Sequence, residues 1–224
     1  MAAMATAGNL DSLTPAQVLA LPASTIDSVP TTVLATLTDA QVASLTTAQL
    51  AALTDAQMAA MATAGNLDSL TPAQVAALPA STIDSVPATV IDNLTDAEVA
   101  GLSDAQLAAL TPAQIVAMAT AGNLDNLTAA QISKLAPLTI AALSDATMAA
   151  MATAGKLNNL TNAQVLALPA TTIDSVPATV IDNLTDAEVA GLSDAQLAAL
   201  TPAQMAAMAT AGNLDNLTAA QISK

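Results

Sequence analysis

The amino-acid sequence predicts an all-α fold, a solenoid or superhelix of very short capped helices, on three observations. The first is an octad repeated almost without interruption. It reads Thr or Ser, any residue, Ala, Gln or Glu, an aliphatic residue, two mostly small residues, then Leu; 94–114 holds it in its plainest form. The second is that Ser/Thr followed three residues later by Gln/Glu is a capping box. Each octad therefore spells a helix start, and the next spells another before a long helix can develop. The third is that the apolar positions, five and eight, lie three apart and share one helix face. Helices this short are unstable alone, because nucleation is costly. They must stack, each unit contacting mainly its neighbours.

Within an octad, each position has a reason. Thr95 caps, Glu98 closes the box, and Leu94 with Val99 forms the hydrophobic staple that frames the helix entry. Pro15, Pro72, Pro112 and Pro202 stand at the first helical position, where a missing N–H costs nothing. Asp39, Asp55, Asp96, Asp104, Asp186 and Asp194 stand there in other octads, favoured by the positive end of the helix dipole. The predicted N-caps are Thr14, Thr38, Thr46, Thr54, Thr71, Thr95, Ser103, Thr111, Thr128, Thr161, Thr185, Ser193, Thr201 and Thr218. Ala at positions three and seven is expected to let neighbouring backbones approach, with Gly101 and Gly191 as close-packing points.

Two variants interrupt the octads. Nonamers begin at Ala5, Ala62, Ala119, Ala152 and Ala209. They carry no new cap, so the preceding helix is expected to run on until Gly8, Gly65, Gly122, Gly155 or Gly212 stops it in the left-handed region. Octads 22–29, 30–37, 79–86, 87–94, 169–176 and 177–184 begin with Pro in place of the capping Thr. Their lost box predicts looser, partly 3₁₀ turns, with positions five and eight still apolar. The nonamers are spaced by 57, 57, 33 and 57 residues. The long and short spacings differ by three octads. An insertion that a solenoid absorbs without disruption is a whole turn, which points to three octads per superhelical turn. The expected organisation is one continuous array over 1–224, with 90-residue higher-order repeats at 45–134 and 135–224 and a partial repeat at 1–44.

Composition narrows the function. The 224 residues carry no aromatic, Cys or His, and 54% are hydrophobic. That suits a thin, regular core and not a disordered chain. The net charge is −15, with Lys134, Lys156 and Lys224 the only cations. Nucleic acid and anionic membrane surfaces would be repelled. Polar residues break every apolar run well short of a spanning length, so membrane insertion is not expected. Without His or Cys the usual acid–base and thiol chemistry is missing, and the Ser and Thr spacing is that of caps. Pairs such as Asp92 with Asp96 and Asp182 with Asp186 read as solvated, dipole-stabilising groups. Met58, Met61, Met118, Met148, Met151, Met205 and Met208 fall on positions five and eight and read as core. No catalytic, cofactor or metal site is expected, and no cofactor.

Two resemblances add to this reading. Thr111-Pro112-Ala113-Gln114-Ile115-Val116-Ala117-Met118-Ala119-Thr120 resembles the first helix of transcription-activator-like effector repeats, whose family binds DNA. The match stops at Ala121-Gly122-Asn123-Leu124, where that family carries its base-reading pair and a Gly-Gly-Lys loop. Tandem Leu-Thr-x-Ala-Gln octads, over nearly the whole chain, resemble arrays in very large bacterial surface or secreted proteins of the adhesin and RTX kind. That resemblance implies an extracellular stalk, matrix or filament segment. The expected function is therefore a non-enzymatic structural protein. A module binding ice, mineral or carbohydrate through Thr/Asp rows is the alternative, and a designed repeat scaffold a third. The chain opens inside a unit at Met1-Ala2-Ala3-Met4 and closes inside one at Gln221-Ile222-Ser223-Lys224. The expected partner is accordingly another copy, end to end, or flanking repeats of a longer chain.

Overall fold

A computed structural model describes residues 10–217 and 221. The fold among them is all-helical: twenty α-helices of four to ten residues, three 3₁₀ segments and no strand. The chain divides between Asn123 and Leu124 into two compact units. Gly8 and Thr218 lie outside the described residues.

Local sequence explains the helix lengths. In a plain octad the helix starts at position two and ends near position six or seven, as in Asp39–Ala43, Thr47–Ala51 and Asp104–Ala109. Leu at position eight turns extended (Leu110 has φ −60° and ψ 137°), and the next cap follows at once. Where a nonamer supplies no cap, the helix runs on: Asp55–Ala64, Pro112–Ala121, Asp145–Thr153 and Pro202–Ala211 have nine or ten residues. Gly65 ends the first of these at φ 75°. Its N–H donates to the Ala62 carbonyl at 3.0 Å and the Asn66 N–H to the Met61 carbonyl at 3.2 Å. This is the Schellman arrangement, open to glycine at no steric cost.

The Pro octads differ from expectation. Ala23–Ile26, Thr31–Leu34, Ala80–Ile83, Ala88–Ile91 and Ala178–Ile181 are single α-turns, and only Ile173–Ser175 is 3₁₀. None has a side-chain cap. Pro at the cap position is extended, with φ −60° and ψ 146° at Pro22, and its carbonyl still accepts the first helical N–H. Fixed φ and tertiary packing hold the α-turn where the box is missing.

Stacking is periodic within each unit. In the first, Ala23–Ile26 packs on Thr47–Ala51, Thr31–Leu34 on Asp55–Ala64, Ala80–Ile83 on Asp104–Ala109, and Ala88–Ile91 on Pro112–Ala121. In the second, Pro137–Ala141 packs on Asn162–Ala167 and Ala178–Ile181 on Pro202–Ala211. Every pair joins a helix to the one three units further along, so a turn contains three units. Positions five and eight form the core. Val18, Ile26, Leu50, Met58, Val75 and Ile83 are fully buried, and Leu45, Leu53 and Leu78 nearly so.

The small residues do not act as expected. Position-three alanines, such as Ala16, Ala40, Ala56 and Ala105, are exposed. Gly101 and Gly191 are exposed too. A Cβ on Gly191 would meet nothing within 4 Å, and one on Gly101 would meet only its own helix, at the Ala97 carbonyl oxygen 3.1 Å away. Close approach between turns is made instead by the residue at position four.

Candidate functional site

Each predicted cap among the described residues sits in extended backbone just ahead of its helix, as the octad pattern requires. At Thr46, the hydroxyl oxygen accepts from the Gln49 N–H at 3.2 Å, and the Gln49 Oε1 accepts from the Thr46 N–H at 2.9 Å. The Thr46 hydroxyl also donates to that Oε1 at 3.0 Å. Thr71 and Thr111 repeat this third bond at 3.0 and 3.1 Å. In these caps the hydroxyl proton is spent inside the cap. Ser144, absent from the predicted caps, also caps: its Oγ accepts from the Thr147 N–H at 3.2 Å. Its box is incomplete because Thr147 stands where the others have Gln.

The box uses only half of the Gln side chain. Its Nε2 donates across to the corner that precedes the unit beneath it. Gln49 reaches the carbonyls of Leu19 (3.0 Å) and Leu21 (2.8 Å), some thirty residues earlier. Gln57 reaches Ile26, Asp27 and Val29 at 3.0, 3.2 and 2.7 Å. In the second unit, Gln164 reaches Ile132 and Leu135, Gln196 reaches Leu166 and Leu168, and Gln204 reaches Ile173 and Val176. Nonamers use Asn for the same purpose: Asn66 donates to the Leu34 and Leu37 carbonyls, and Asn213 to those of Asp182 and Leu184. Lys156 replaces that Asn, and its Nζ donates to the Leu127 carbonyl at 2.8 Å. Gln57, Gln114, Gln164 and Gln204 are at most 2% exposed. Buried amides are tolerated because both ends are bonded. The Oδ1 of Asn66 is the single buried side-chain polar atom among the described residues without a partner.

Glu98 and Glu188 occupy position four without a donor. Glu188 receives one instead: the Asn162 Nδ2 donates to its Oε2 at 2.7 Å from the unit three places back. Thr185 donates to the same oxygen through its N–H and its hydroxyl, each at 2.8 Å. Those bonds, the backbone one foremost, hold the carboxyl below the ordinary Glu value against a smaller opposing effect of burial.

Position-five or position-eight side chains are less covered on two described turns. On the turn formed by 193–217, Leu197, Met205, Leu214 and Leu217 are part-exposed and, with Asp194, Ala198 and Gln221, line a cleft of about 390 Å³. Their counterparts one turn earlier, Ile173 and Ile181, are fully buried. On the turn formed by 10–34, Leu13 and Leu21 are part-exposed and Gln17 is exposed. Among the described residues, no group of three acidic, His or Cys side chains could hold a metal, and no helix is long and apolar enough to cross a membrane. No family model matches the chain, and neither a curated protein nor a solved structure does.

Proposed function

We propose that the chain is a non-enzymatic structural protein, a stalk or filament segment working outside the cell, whose role is to present a regular length of stacked turns. The observation that carries this reading is where the polar groups go. Caps engage the hydroxyls, and position-four amides consume the carbonyls of the turn before (Gln57 on Ile26, Asp27 and Val29). The repeated chemistry is internal, and it makes turns adhere in a fixed register. An acidic surface with net charge −15 opposes lateral clumping. The extracellular placement rests on the resemblance of the octads to bacterial surface-protein arrays.

Electron micrographs test the structural role. The purified chain is expected to form an elongated particle, and a version with one further copy of 71–94 inserted after it a longer particle of equal width. A compact globule that widens equally in all directions overturns the proposal. Antibody labelling of intact cells of the source organism tests location; signal only after permeabilisation overturns the extracellular part.

A further inference from the structure

We propose that Asn159 is the acceptor of an N-linked glycan, in the sequon Asn159-Leu160-Thr161. The proposal rests on the extracellular placement above, which brings the chain to enzymes of that kind.

Units close on Leu and the next opens on a capping Thr. Asn as the last residue but one of such a unit therefore writes Asn-Leu-Thr, and it does so at Asn93, Asn126, Asn159, Asn183 and Asn216. Thr218, which completes the last of these, lies outside the described residues. An enzyme that glycosylates asparagine needs the side-chain amide as nucleophile and reads the hydroxyl two residues on. Three sequons withhold one or both. The Asn93 Nδ2 donates to the Thr89 carbonyl at 2.7 Å, and the Asn183 Nδ2 to the Thr179 carbonyl at 2.7 Å. The hydroxyls of Thr95 and Thr185 donate to Glu98 and Glu188 at 2.6 and 2.8 Å. Asn126 is half-buried in a 3₁₀ segment, and the Thr128 hydroxyl donates to Gln131 at 3.0 Å.

Asn159 differs on both counts. It is exposed in the corner that follows Gly155, and its amide meets no hydrogen-bond partner among the described residues. The Thr161 hydroxyl accepts from the Gln164 N–H at 3.2 Å, but its proton goes to no described group. Leu160 between them is buried. Any residue but Pro serves there, so its side chain can stay in the core. The co-substrate is a sugar activated as a pyrophosphate ester. The Asn159 Nδ2 attacks the anomeric carbon, and a C–N bond forms as the C–O bond to the pyrophosphate breaks. The pyrophosphate leaves with the bonding pair, and the amide proton passes to a base of the enzyme.

Peptide mapping by mass spectrometry, on chain taken from cells of the source organism, tests the modification. The peptide that spans Asn159 is expected to carry a sugar mass. An oligosaccharide moved whole marks a lipid-pyrophosphate donor, and a single hexose a nucleotide-sugar donor. Asn159→Gln and Thr161→Asp should lose the mass, although Asp keeps the cap. Thr161→Ser and Asn93→Gln should keep it. A bare Asn159 peptide, or a sugar that survives Thr161→Asp, overturns the proposal. Surface labelling is a separate readout, so a surface-labelled chain with bare Asn159 overturns the modification and leaves the extracellular reading standing. A second measurement tests the selectivity. Unmodified folded chain is incubated with a purified oligosaccharyltransferase and a lipid-linked oligosaccharide, beside synthetic peptides 90–97, 157–163 and 180–187. The peptides should react at similar rates, and the folded chain at Asn159 about tenfold or more faster than at Asn93 or Asn183, whose amides and hydroxyls are tied. Equal rates at the three sites of the folded chain overturn the assignment to Asn159.

Discussion

At the scale of the residue, Gln at position four decides more than any other side chain. A capping box accepts Glu as readily as Gln, yet only Gln can also donate to the turn before. Gln57→Glu separates the two roles. The box survives, but an anion then faces the carbonyls that Gln57 bonds, and destabilisation of roughly 1–3 kcal/mol is expected at neutral pH. A carboxyl there has its folded pKa raised, because only the protonated form can donate. Its stability is fully present below the unfolded pKa and is lost as pH rises through the folded one. Denaturant melts at acid and neutral pH check this: a deficit no larger at neutral pH contradicts it. Glu188 runs the opposite way. Its folded pKa is lowered by the Thr185 and Asn162 bonds, so the stability it contributes is present above the ordinary Glu value and is lost as pH falls through the lowered one. Its carboxyl resonance should titrate higher in Thr185→Ala, and by a smaller step in Asn162→Ala. Gly191, exposed with room for a methyl group and without positive φ, should accept Ala with a gain of about 0.4–1 kcal/mol; an unchanged or lower melting temperature refutes that.

At the scale of the element, cap and core share the task of making a helix of five residues. Thr111→Ala removes one capping oxygen and should cost about 0.5–2 kcal/mol. Leu110→Ala, at a site 2% exposed, should cost more, about 2–5 kcal/mol. The opposite order in urea melts would mean that position eight is not core. The caps, the glycine stops and the core positions were legible in the sequence because each depends on residues within about one helical turn. The α-turns at Pro22 and its fellows were less so, since packing and not a box sustains them. The cross-turn amides are not legible in the same way. An excess of Gln over Glu at position four was the available signal, and it hides behind the box that both residues complete.

At the scale of the whole molecule, stability should accumulate by turns, as in other arrays whose units contact only near neighbours. Removing 71–94, three octads, returns each remaining unit to an equivalent neighbour. The shortened chain is expected to keep its helical circular dichroism and to unfold with a smaller urea m-value, in step with the surface lost. Loss of cooperative unfolding would show that the units are not interchangeable. Self-repulsion from the charge of −15 should make the melting temperature rise with added salt.

By itself the sequence determined where helices start and stop and which positions are apolar, and the three-octad difference in nonamer spacing pointed to three units per turn. Local hydrogen bonds, backbone sterics and chain length carry that information, and all three are written in consecutive residues. Tertiary structure alone decided that the position-three alanines and Gly191 face solvent, that Lys156 substitutes for an Asn donor, and that the buried position-four amides have two employers. Those outcomes depend on which carbonyls lie one turn beneath, some thirty residues away in the chain. A side chain of four heavy atoms beyond Cβ can reach them only once stacking has brought the corners within hydrogen-bond distance.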